Sequence, residues 1–268
     1  TSLDVRNGNN ENITFFNALN NPDLTCIYVD NVSYSNINWT NIDPASNFVV
    51  NEAECDALFT AIPDSNFELA LIELGIDTAP IDGQVLTANI EVVTSLDIDN
   101  YFIFDLTGIE GFIALTILNC QNNQLSSIDV SNNLGLTELR IFNNQLTILD
   151  VSINTALTYL NCYSNPLTSL DVSTNLALQT LICINNQLTS LDVSNNIALT
   201  ILDCENNQLT SLDVSNNIAL TALFCSNNQL TSLDVRNENN ENITFFNALN
   251  NPDLTCIYVD NVSYSTTN

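Results

Sequence analysis

The stretch LTSLDVSNNIALTALFCSNNQ, residues 209–229, is the last of five consecutive copies of a 21-residue unit that align without gaps. The copies occupy residues 125–145, 146–166, 167–187, 188–208 and 209–229; a half unit precedes them at 115–124 and another follows from Leu230. A unit this short cannot bury its apolar side chains alone, so it must stack on its neighbours. The period therefore predicts a solenoid with one coil for each unit.

Each unit contains the pattern L-x-x-L-x-L/C-x-x-N-x-L, as in LTALFCSNNQL at residues 220–230. Alternation around Leu223 and Cys225 predicts a short strand that points both side chains into the coil. The Asn that follows turns the chain, and its amide can bond backbone groups that the turn leaves unpaired. This pattern is the leucine-rich repeat signature. Stacked coils place its asparagines in an internal ladder: Asn123, Asn144, Asn165, Asn186, Asn207 and Asn228.

The other half of each unit, L-T-S-L-D-V-S-x-N, nearly repeats the same pattern. Its Leu and Val alternate around Asp, and a second asparagine column follows: Asn133, Asn154, Asn175, Asn196 and Asn217. The segment is rich in Ser, Thr, Val and Asn, which favour helices poorly. We therefore expect a second strand or an extended segment here instead of a helix. The predicted fold class is a β-rich leucine-rich repeat solenoid with two short strands per 21-residue coil.

A solenoid exposes apolar ends unless each end is capped. The stretch DSNFELALIELG, residues 64–75, predicts a helix that Asp64 or Ser65 caps and Gly75 ends, with Phe67 and Leu71 on one face. Because this helix precedes the repeats, we expect it to form a small helical N-terminal cap.

Residues 1–35 return at residues 231–265 with one change, Gly8 against Glu238. Each copy begins as a repeat and then breaks the period, which is typical of a C-terminal cap. We interpret residues 1–43 as the C-terminal cap of a preceding unit and 44–91 as a linker plus the helical N-terminal cap. Residues 92–243 would be the solenoid, and 244–268 the start of the next C-terminal cap. This order predicts one period of a longer tandem array; the alternative is a self-contained domain with two similar ends.

Three stretches together resemble the secreted leucine-rich repeat proteins of Bacteroidota bacteria: IPDSNFELALIELGID, the LTSLDVSNN…LxCxNNQ repeats, and NNPDLTCIYVDNVSYSNINWTNID. The resemblance covers nearly the whole chain. It implies a large secreted or cell-surface protein, exported by the type IX system and used in adhesion or as part of a surface appendage.

Five of the eight cysteines share one column, in which Ile141 takes the remaining place: Cys120, Cys162, Cys183, Cys204 and Cys225. They occupy the inward position that Leu holds in other leucine-rich repeats, so we interpret them as buried structural thiols and not as metal ligands or disulfides. Outside the column, Cys26 is expected to bond Cys55, as suits an extracellular protein. Cys256, the equivalent of Cys26, would then need a partner equivalent to Cys55.

A column of aspartates also recurs every 21 residues: Asp129, Asp150, Asp171, Asp192, Asp213 and Asp234. These side chains lie between inward residues and therefore point outward, where stacked carboxylates repel one another. Solvent and salt, hydrogen bonds to neighbouring Ser, Thr and Asn, or bound Ca²⁺ could relieve the repulsion. We favour hydrogen bonding with screening; calcium is the alternative, and no other cofactor is predicted.

The composition excludes several functions. The chain carries 31 acidic residues against three arginines, with no Lys and no His, for a net charge of −28. Such a field repels nucleic acid and anionic membranes, and no apolar run is long enough for membrane insertion. Without His or Lys, the commonest general base and the Schiff-base amine are missing. We therefore predict that the protein is not an enzyme.

The positions that flank the inward strand residues vary between coils, and several are aromatic or aliphatic. They form the candidate partner-binding face: Phe142, Tyr159, Tyr163, Ile182, Ile184 and Phe224. Aromatic side chains on a rigid sheet suit sugar rings or a protein anchor, whereas packing against a neighbouring copy is the alternative. The predicted function is a structural and adhesive building block of a long extracellular tandem-repeat protein. The alternatives are a discrete binding module for a glycan or surface protein, and an accessory part of a carbohydrate-active enzyme whose catalytic domain lies elsewhere.

Overall fold

The computed structural model describes residues 2–265. The chain packs as two compact units: Thr1–Thr60 with Leu86–Ala88, and Ala61–Val85 with Asn89–Asn268. Each unit is described by itself.

The first unit is built on a three-stranded parallel sheet in the order β1–β2–β3, where the strands are β1 (Ser2–Asp4), β2 (Cys26–Tyr28) and β3 (Asn47–Val49). Two short helices follow the second and third strands, α1 (Val32–Asn38) and α2 (Glu52–Asp56), and a 3₁₀ turn spans Asn10–Asn12. Both helices begin at an asparagine whose side chain accepts a backbone N–H, Asn31 from Tyr34 and Asn51 from Glu54.

Aromatic rings fill the core of the first unit. Trp39 is buried, stacks on Phe16 with ring centroids 4.4 Å apart, and meets the edge of Phe48 at 5.8 Å. The predicted disulfide is present: Cys26 on β2 is bonded to Cys55 on α2, with 5.9 Å between their Cα atoms. Trp39 and Phe48 share this core, so the predicted boundary between residues 43 and 44 falls inside one packed cluster. The predicted four-part division otherwise stays a prediction.

The next segment contains the predicted helix, α3 (Ser65–Glu73), between the hydrogen-bonded strands β4 (Phe59–Ala61) and β5 (Gln84–Leu86); α4 (Thr87–Ile90) follows. Asp64 is the N-cap, and its Oδ1 accepts the N–H of Asn66 at 2.8 Å and of Phe67 at 3.3 Å. The chain leaves the helix at Gly75 with a φ of +71°, a left-handed conformation that glycine adopts without strain. Phe67 and Leu71 lie in the same core as the repeats.

The remaining strands lie in the second unit, and each has three residues: β6 (Ser95–Asp97), β7 (Ile117–Asn119), β8 (Glu138–Arg140), β9 (Tyr159–Asn161), β10 (Thr180–Ile182), β11 (Ile201–Asp203), β12 (Ser211–Asp213), β13 (Ala222–Phe224), β14 (Ser232–Asp234), β15 (Phe245–Asn247) and β16 (Cys256–Tyr258). Eight of them form a parallel sheet in the order β15–β13–β11–β10–β9–β8–β7–β6. Inside the repeats, neighbouring strands pair residues 21 positions apart, such as Leu160 with Leu181. The middle leucine of these strands is buried, as the L-x-L pattern predicts.

The predicted second strand of each coil is found only near the end of the solenoid, where β12, β14 and β16 form a parallel sheet. The corresponding segments of the coils between residues 125 and 208 are not strands, so the prediction of two strands in every coil is wrong there. Alternating Leu and Val fix which side chains point inward, but ladder hydrogen bonds also need neighbouring coils at the right separation. The expected absence of a helix on this side holds for residues 91–261; α5 (Val262–Ser265) comes later, and 3₁₀ turns lie at Ile109–Gly111 and Asn240–Asn242.

The asparagine ladder joins successive coils as predicted. Asn186 donates from Nδ2 to the carbonyl of Cys162 in the preceding coil and to that of Cys183 in its own coil, both at 3.1 Å. Its Oδ1 accepts the N–H of Leu167 at 3.1 Å. The residue before each ladder asparagine has a positive φ, such as +51° at Asn185, which explains the recurrent Asn-Asn pair because Asn tolerates the left-handed region.

Candidate partner-binding face

The outward side of the eight-stranded sheet, here called the sheet face, carries three rows of side chains. The first and third residues of each strand supply two rows, because the middle residue points inward. The residue two positions beyond each strand supplies the third row. Backbone bonds hold that row in register, such as Asn143 N–H to the Tyr163 carbonyl at 2.9 Å and Ser164 N–H to the Ile184 carbonyl at 2.9 Å.

Five of the six predicted site residues come together on neighbouring coils. Phe142, Tyr163 and Ile184 follow one another in the third row, and the rings of Phe142 and Tyr163 lie 6.1 Å apart. Tyr159 in the first row and Ile182 in the second row lie on the adjacent strands β9 and β10. All five are half-buried, so each presents part of its apolar surface to solvent.

The sixth residue, Phe224, is separated from the others. In the second row, Asp203 on β11 lies between Ile182 on β10 and Phe224 on β13. Phe224 is also half-buried, but a carboxylate interrupts the apolar surface before it. The five residues on neighbouring coils are here called the apolar patch; in the first row, Thr180 on β10 lies between Tyr159 and Ile201.

Carboxylates border the apolar patch on its C-terminal side. Glu205 Oε1 accepts hydrogen bonds from Ser226 Oγ at 2.5 Å and from Asn247 Nδ2 at 2.7 Å. Burial, with a smaller contribution from the charge of Glu205, raises the pKa of Asp203 to about 6, although a hydrogen bond from the Glu205 N–H acts in the opposite direction. Carboxylates also lie on the N-terminal side, where Asp97 accepts from Asn119 Nδ2 at 2.8 Å.

One cation lies beside the apolar patch. Arg140 on β8 forms an ion pair with Glu138 at 2.5 Å, and its guanidinium lies 5.6 Å from the centre of the Tyr159 ring. These contacts orient Tyr159 from one side. Arg6 and Arg236, the other arginines, pair with Asp4 and Asp234.

The aspartate column lies on the other half of each coil and is exposed, apart from half-buried Asp234. Each carboxylate accepts the backbone N–H of the residue two positions on, at 2.9 Å for Asp129 with Ser131 and for the next four, and at 3.1 Å for Asp234 with Arg236. Hydrogen bonds from the serine hydroxyl and N–H hold the pKa of Asp129, Asp150 and Asp171 below the ordinary value. These bonds match the hydrogen-bonding interpretation.

A depression of about 240 Å³ lies in this column between two coils, lined by Leu191, Asp192, Asp213 and neighbouring serines. Throughout residues 2–265, no three Asp, Glu, Cys or His side chains are grouped so that they could hold a metal ion. Calcium binding by the aspartate column stays a prediction.

The five column cysteines are buried in the solenoid core and are not disulfide-bonded, as predicted. Burial raises the pKa of Cys162 and Cys225 to about 12 and raises the pKa of the other three as well. Thiols in this state are poor nucleophiles and poor metal ligands. Cys256, outside the column, is exposed.

One regular surface feature was missed by sequence reasoning. Five aliphatic residues on the other half of the coil lie 57–62 % exposed, at multiples of 21 residues from one another: Ile113, Leu134, Leu176, Ile197 and Ile218. The signal was available, because each of the last four directly follows an inward asparagine of the second column.

Three solved bacterial proteins are similar to this chain. The functional domain of InlJ from Listeria monocytogenes is 29 % identical, with 75 % of this chain and 61 % of that chain covered and a TM-score of 0.45. A leucine-rich repeat protein of Leptospira interrogans is 24 % identical, with 67 % and 47 % covered and a TM-score of 0.50. Internalin C2 from Listeria monocytogenes is 19 % identical, with 76 % and 92 % covered and a TM-score of 0.60.

The last two likenesses, together with the parallel sheet and its register, show that the chain has the leucine-rich repeat fold. The chain spans less than two thirds of the first two proteins. No protein-family model and no curated protein sequence matches it. Among the described residues, every helix is too short or too polar to cross a bilayer.

Proposed function

We propose that this chain is a non-enzymatic binding and structural unit of a long extracellular tandem-repeat protein, and that the sheet face carries its partner-binding site. The observation that carries the proposal is the apolar patch. Soluble proteins usually avoid grouping partly exposed aromatic and aliphatic side chains in this way unless the surface binds something. The patch lies on a parallel sheet whose core leucines do not depend on it, so the surface can vary without loss of the fold.

The adhesive role in a surface protein or appendage is supported by the near-identical stretches at residues 1–35 and 231–265, which favour an array of copies. The extracellular location is supported by the disulfide between Cys26 and Cys55, since such bonds persist in oxidising compartments. Export through the type IX system, in a Bacteroidota bacterium, rests on the resemblance of the repeats and caps.

A glycan partner is the second candidate. Tyr159 and Tyr163 can stack on sugar rings, and Asn161 between them offers both a donor and an acceptor. A protein partner would instead use the same rings as anchors in a dry contact. Neighbouring copies of the chain are a third class of partner, because a regular patch on one solenoid can pack against that of another.

The test is a triple variant, Tyr159→Ser, Tyr163→Ser and Ile182→Ser. A matched control replaces three exposed isoleucines on the other half of the coil, Ile148, Ile153 and Ile197, by Ser. Binding to beads of cellulose, chitin and xylan is measured by depletion, and self-association by sedimentation velocity.

We expect the parent and the control to bind one polysaccharide or to self-associate, and the patch variant to do neither while its far-ultraviolet circular dichroism stays unchanged. A patch variant that behaves like a binding or self-associating parent would refute the assignment of this face. A parent that neither self-associates nor binds a polysaccharide would exclude those two candidates and leave the protein partner.

A further inference from the structure

The two copies of the 35-residue stretch form an internal comparison, because they differ only at Gly8 and Glu238. Apart from the strand at Phe245–Asn247, which the first copy lacks, the two copies have the same strands, 3₁₀ turn and helix start. In each copy the arginine lies over a tyrosine ring, Arg6 at 4.9 Å from Tyr28 and Arg236 at 5.1 Å from Tyr258. Differences in burial between the copies must therefore come from what surrounds each copy.

In the first copy, the strand β2 is covered on both edges. It pairs with β1 on one side and β3 on the other, and β3 belongs to the segment that follows the copy, residues 36–56. Cys26, Ile27 and Val29 are fully buried there. The same segment supplies Trp39, Phe48 and the disulfide partner Cys55.

In the second copy, the equivalent strand β16 pairs only with β14, in the register of the first copy, Ser232 with Cys256 as Ser2 with Cys26. No other strand in the described part of the chain lies on its outer edge. Ile257 is 42 % exposed where Ile27 is 0 % exposed, and the thiol of Cys256 is free and exposed. An open strand edge beside apolar side chains is a site for strand addition.

At the first strand of the duplicated stretch, the difference in burial is reversed, and the second copy is the more buried one. Leu233 in the second copy is fully buried beside the coil of residues 209–229, whereas Leu3 in the first copy is 37 % exposed. The second copy therefore shows how the first strand packs against a preceding coil, and the first copy shows how the second strand is covered by the segment that follows it. Combining them gives a continuous sheet of β12, β14, β16 and a strand like β3.

We propose that β16, with the exposed surface of Cys256, Ile257 and Tyr258, is a docking surface for a further segment with the sequence of residues 36–56. The strand of that segment equivalent to Asn47–Val49 adds to the edge of β16, and its Trp packs on Phe246 as Trp39 packs on Phe16. Its cysteine then forms a disulfide with Cys256. The two thiols lose two electrons and two protons to a small-molecule disulfide, which is reduced to two thiols.

This inference deepens the proposed tandem array and rests on it for the source of the segment. The test appends a copy of residues 36–60 directly after Ser265 of the otherwise full chain, in a glutathione redox buffer. We expect the Cys256 peptide to be linked to the appended cysteine in non-reducing peptide mapping. When the appended cysteine is replaced by Ser, so that no disulfide forms, alkylation of the Cys256 thiol should slow by about 100-fold or more, because a thiol as buried as the Cys26 sulfur reacts only through local opening.

Two control extensions separate docking from cross-linking. One carries Ser in place of the appended cysteine, and it should still slow hydrogen exchange of the β16 amides. The other carries Ala in place of the appended equivalents of Trp39 and Phe48, and it should lose most of that protection.

If Cys256 stays reactive and the β16 amides exchange at the rate of the unextended chain, the docking surface is refuted. The tandem array is tested separately by the sequence of the parent gene. A gene without further units would refute the array. Docking of the appended segment on β16 would still be a valid result for the extended chain.

Discussion

The two asparagine columns are both buried but make different hydrogen bonds, and the consequence for stability can be measured within one coil. Asn186 belongs to the first column and Asn175 to the second, and both lie in the coil of residues 167–187. Replacing either by Ala removes the same volume from the same core, so the difference between the two variants reports on hydrogen bonds.

Asn186→Ala leaves a backbone donor with no partner. The N–H of Leu167 bonds only to Oδ1 of Asn186, at 3.1 Å. The three carbonyls that receive its Nδ2 keep another donor each; for example, the carbonyl of Cys183 still accepts from Asn207 at 2.9 Å. An orphaned buried N–H costs about 1–3 kcal/mol, and the lost bonds add to it, so we expect a loss of about 2–4 kcal/mol.

Asn175→Ala leaves no backbone group unpaired. Its Nδ2 donates to the carbonyls of Val151 and Asn154, which still accept the N–H groups of Asn154 and Leu157. Its Oδ1 has no protein donor in reach. Only part of the hydrogen-bond energy is lost, and we expect a decrease of about 0–2 kcal/mol in the free energy of unfolding.

Equilibrium unfolding in urea, followed by circular dichroism, measures both variants against the parent, and a common m-value shows that the same surface is exposed. Hydrogen exchange of the Leu167 amide gives a local measure of the same effect. If Asn175→Ala destabilises the protein as much as Asn186→Ala, the orphaned N–H is not the dominant cost and the reasoning fails.

Three further predictions follow from single residues. The thiol of Cys162 and its column neighbours should react with iodoacetamide only in denaturant, whereas Cys256 should react in the native protein; native labelling of the column would contradict its burial. Because the pKa of Asp203 is raised to about 6 by burial, the folded state binds its proton more tightly than the unfolded chain, so its contribution to stability falls as pH rises from about 4 to 6. Asp203→Asn should reduce the pH dependence of the urea midpoint in that range. A pH dependence identical to that of the parent would exclude Asp203 as its origin. Ser164 holds a φ of +52° where the other coils have Asn, so Ser164→Asn should raise the free energy of unfolding by about 0.5–1 kcal/mol; a neutral or destabilising result would argue against backbone strain at this turn.

The repeating part of the fold could be predicted from the sequence because a regular period determines how the coils stack. A Leu repeated every 21 residues can only be buried if the coils stack in register, and the pairing of Leu160 with Leu181 follows directly. The helix at Ser65–Glu73 was readable because its start and end carry their own signals, Asp64 and Gly75. Both inferences depend on neighbours close in the sequence or one period away.

The remaining features depend on distances that no pattern states. The segments around the Asp column pair as strands only at β12, β14 and β16, although the same L-D-V pattern recurs in the coils of residues 125–208. The aromatic core of the first unit joins Phe16, Trp39 and Phe48, which share no period. On the sheet face, alternation correctly placed Phe224 outward, but its neighbour Asp203 breaks the patch.

The duplicated stretch separates the features that follow from the local sequence from those that depend on neighbouring strands. Phe245–Asn247 forms a strand because β13 offers it a hydrogen-bonding edge, whereas the identical residues 15–17 in the first copy have no such edge and form no strand. Conversely, the strands at Cys26–Tyr28 and Cys256–Tyr258 form in both copies, because a strand on the preceding side is present in both. A strand on one edge is therefore enough for pairing at Cys256–Tyr258, whereas the full burial of Ile27 in the first copy comes with a strand on both edges.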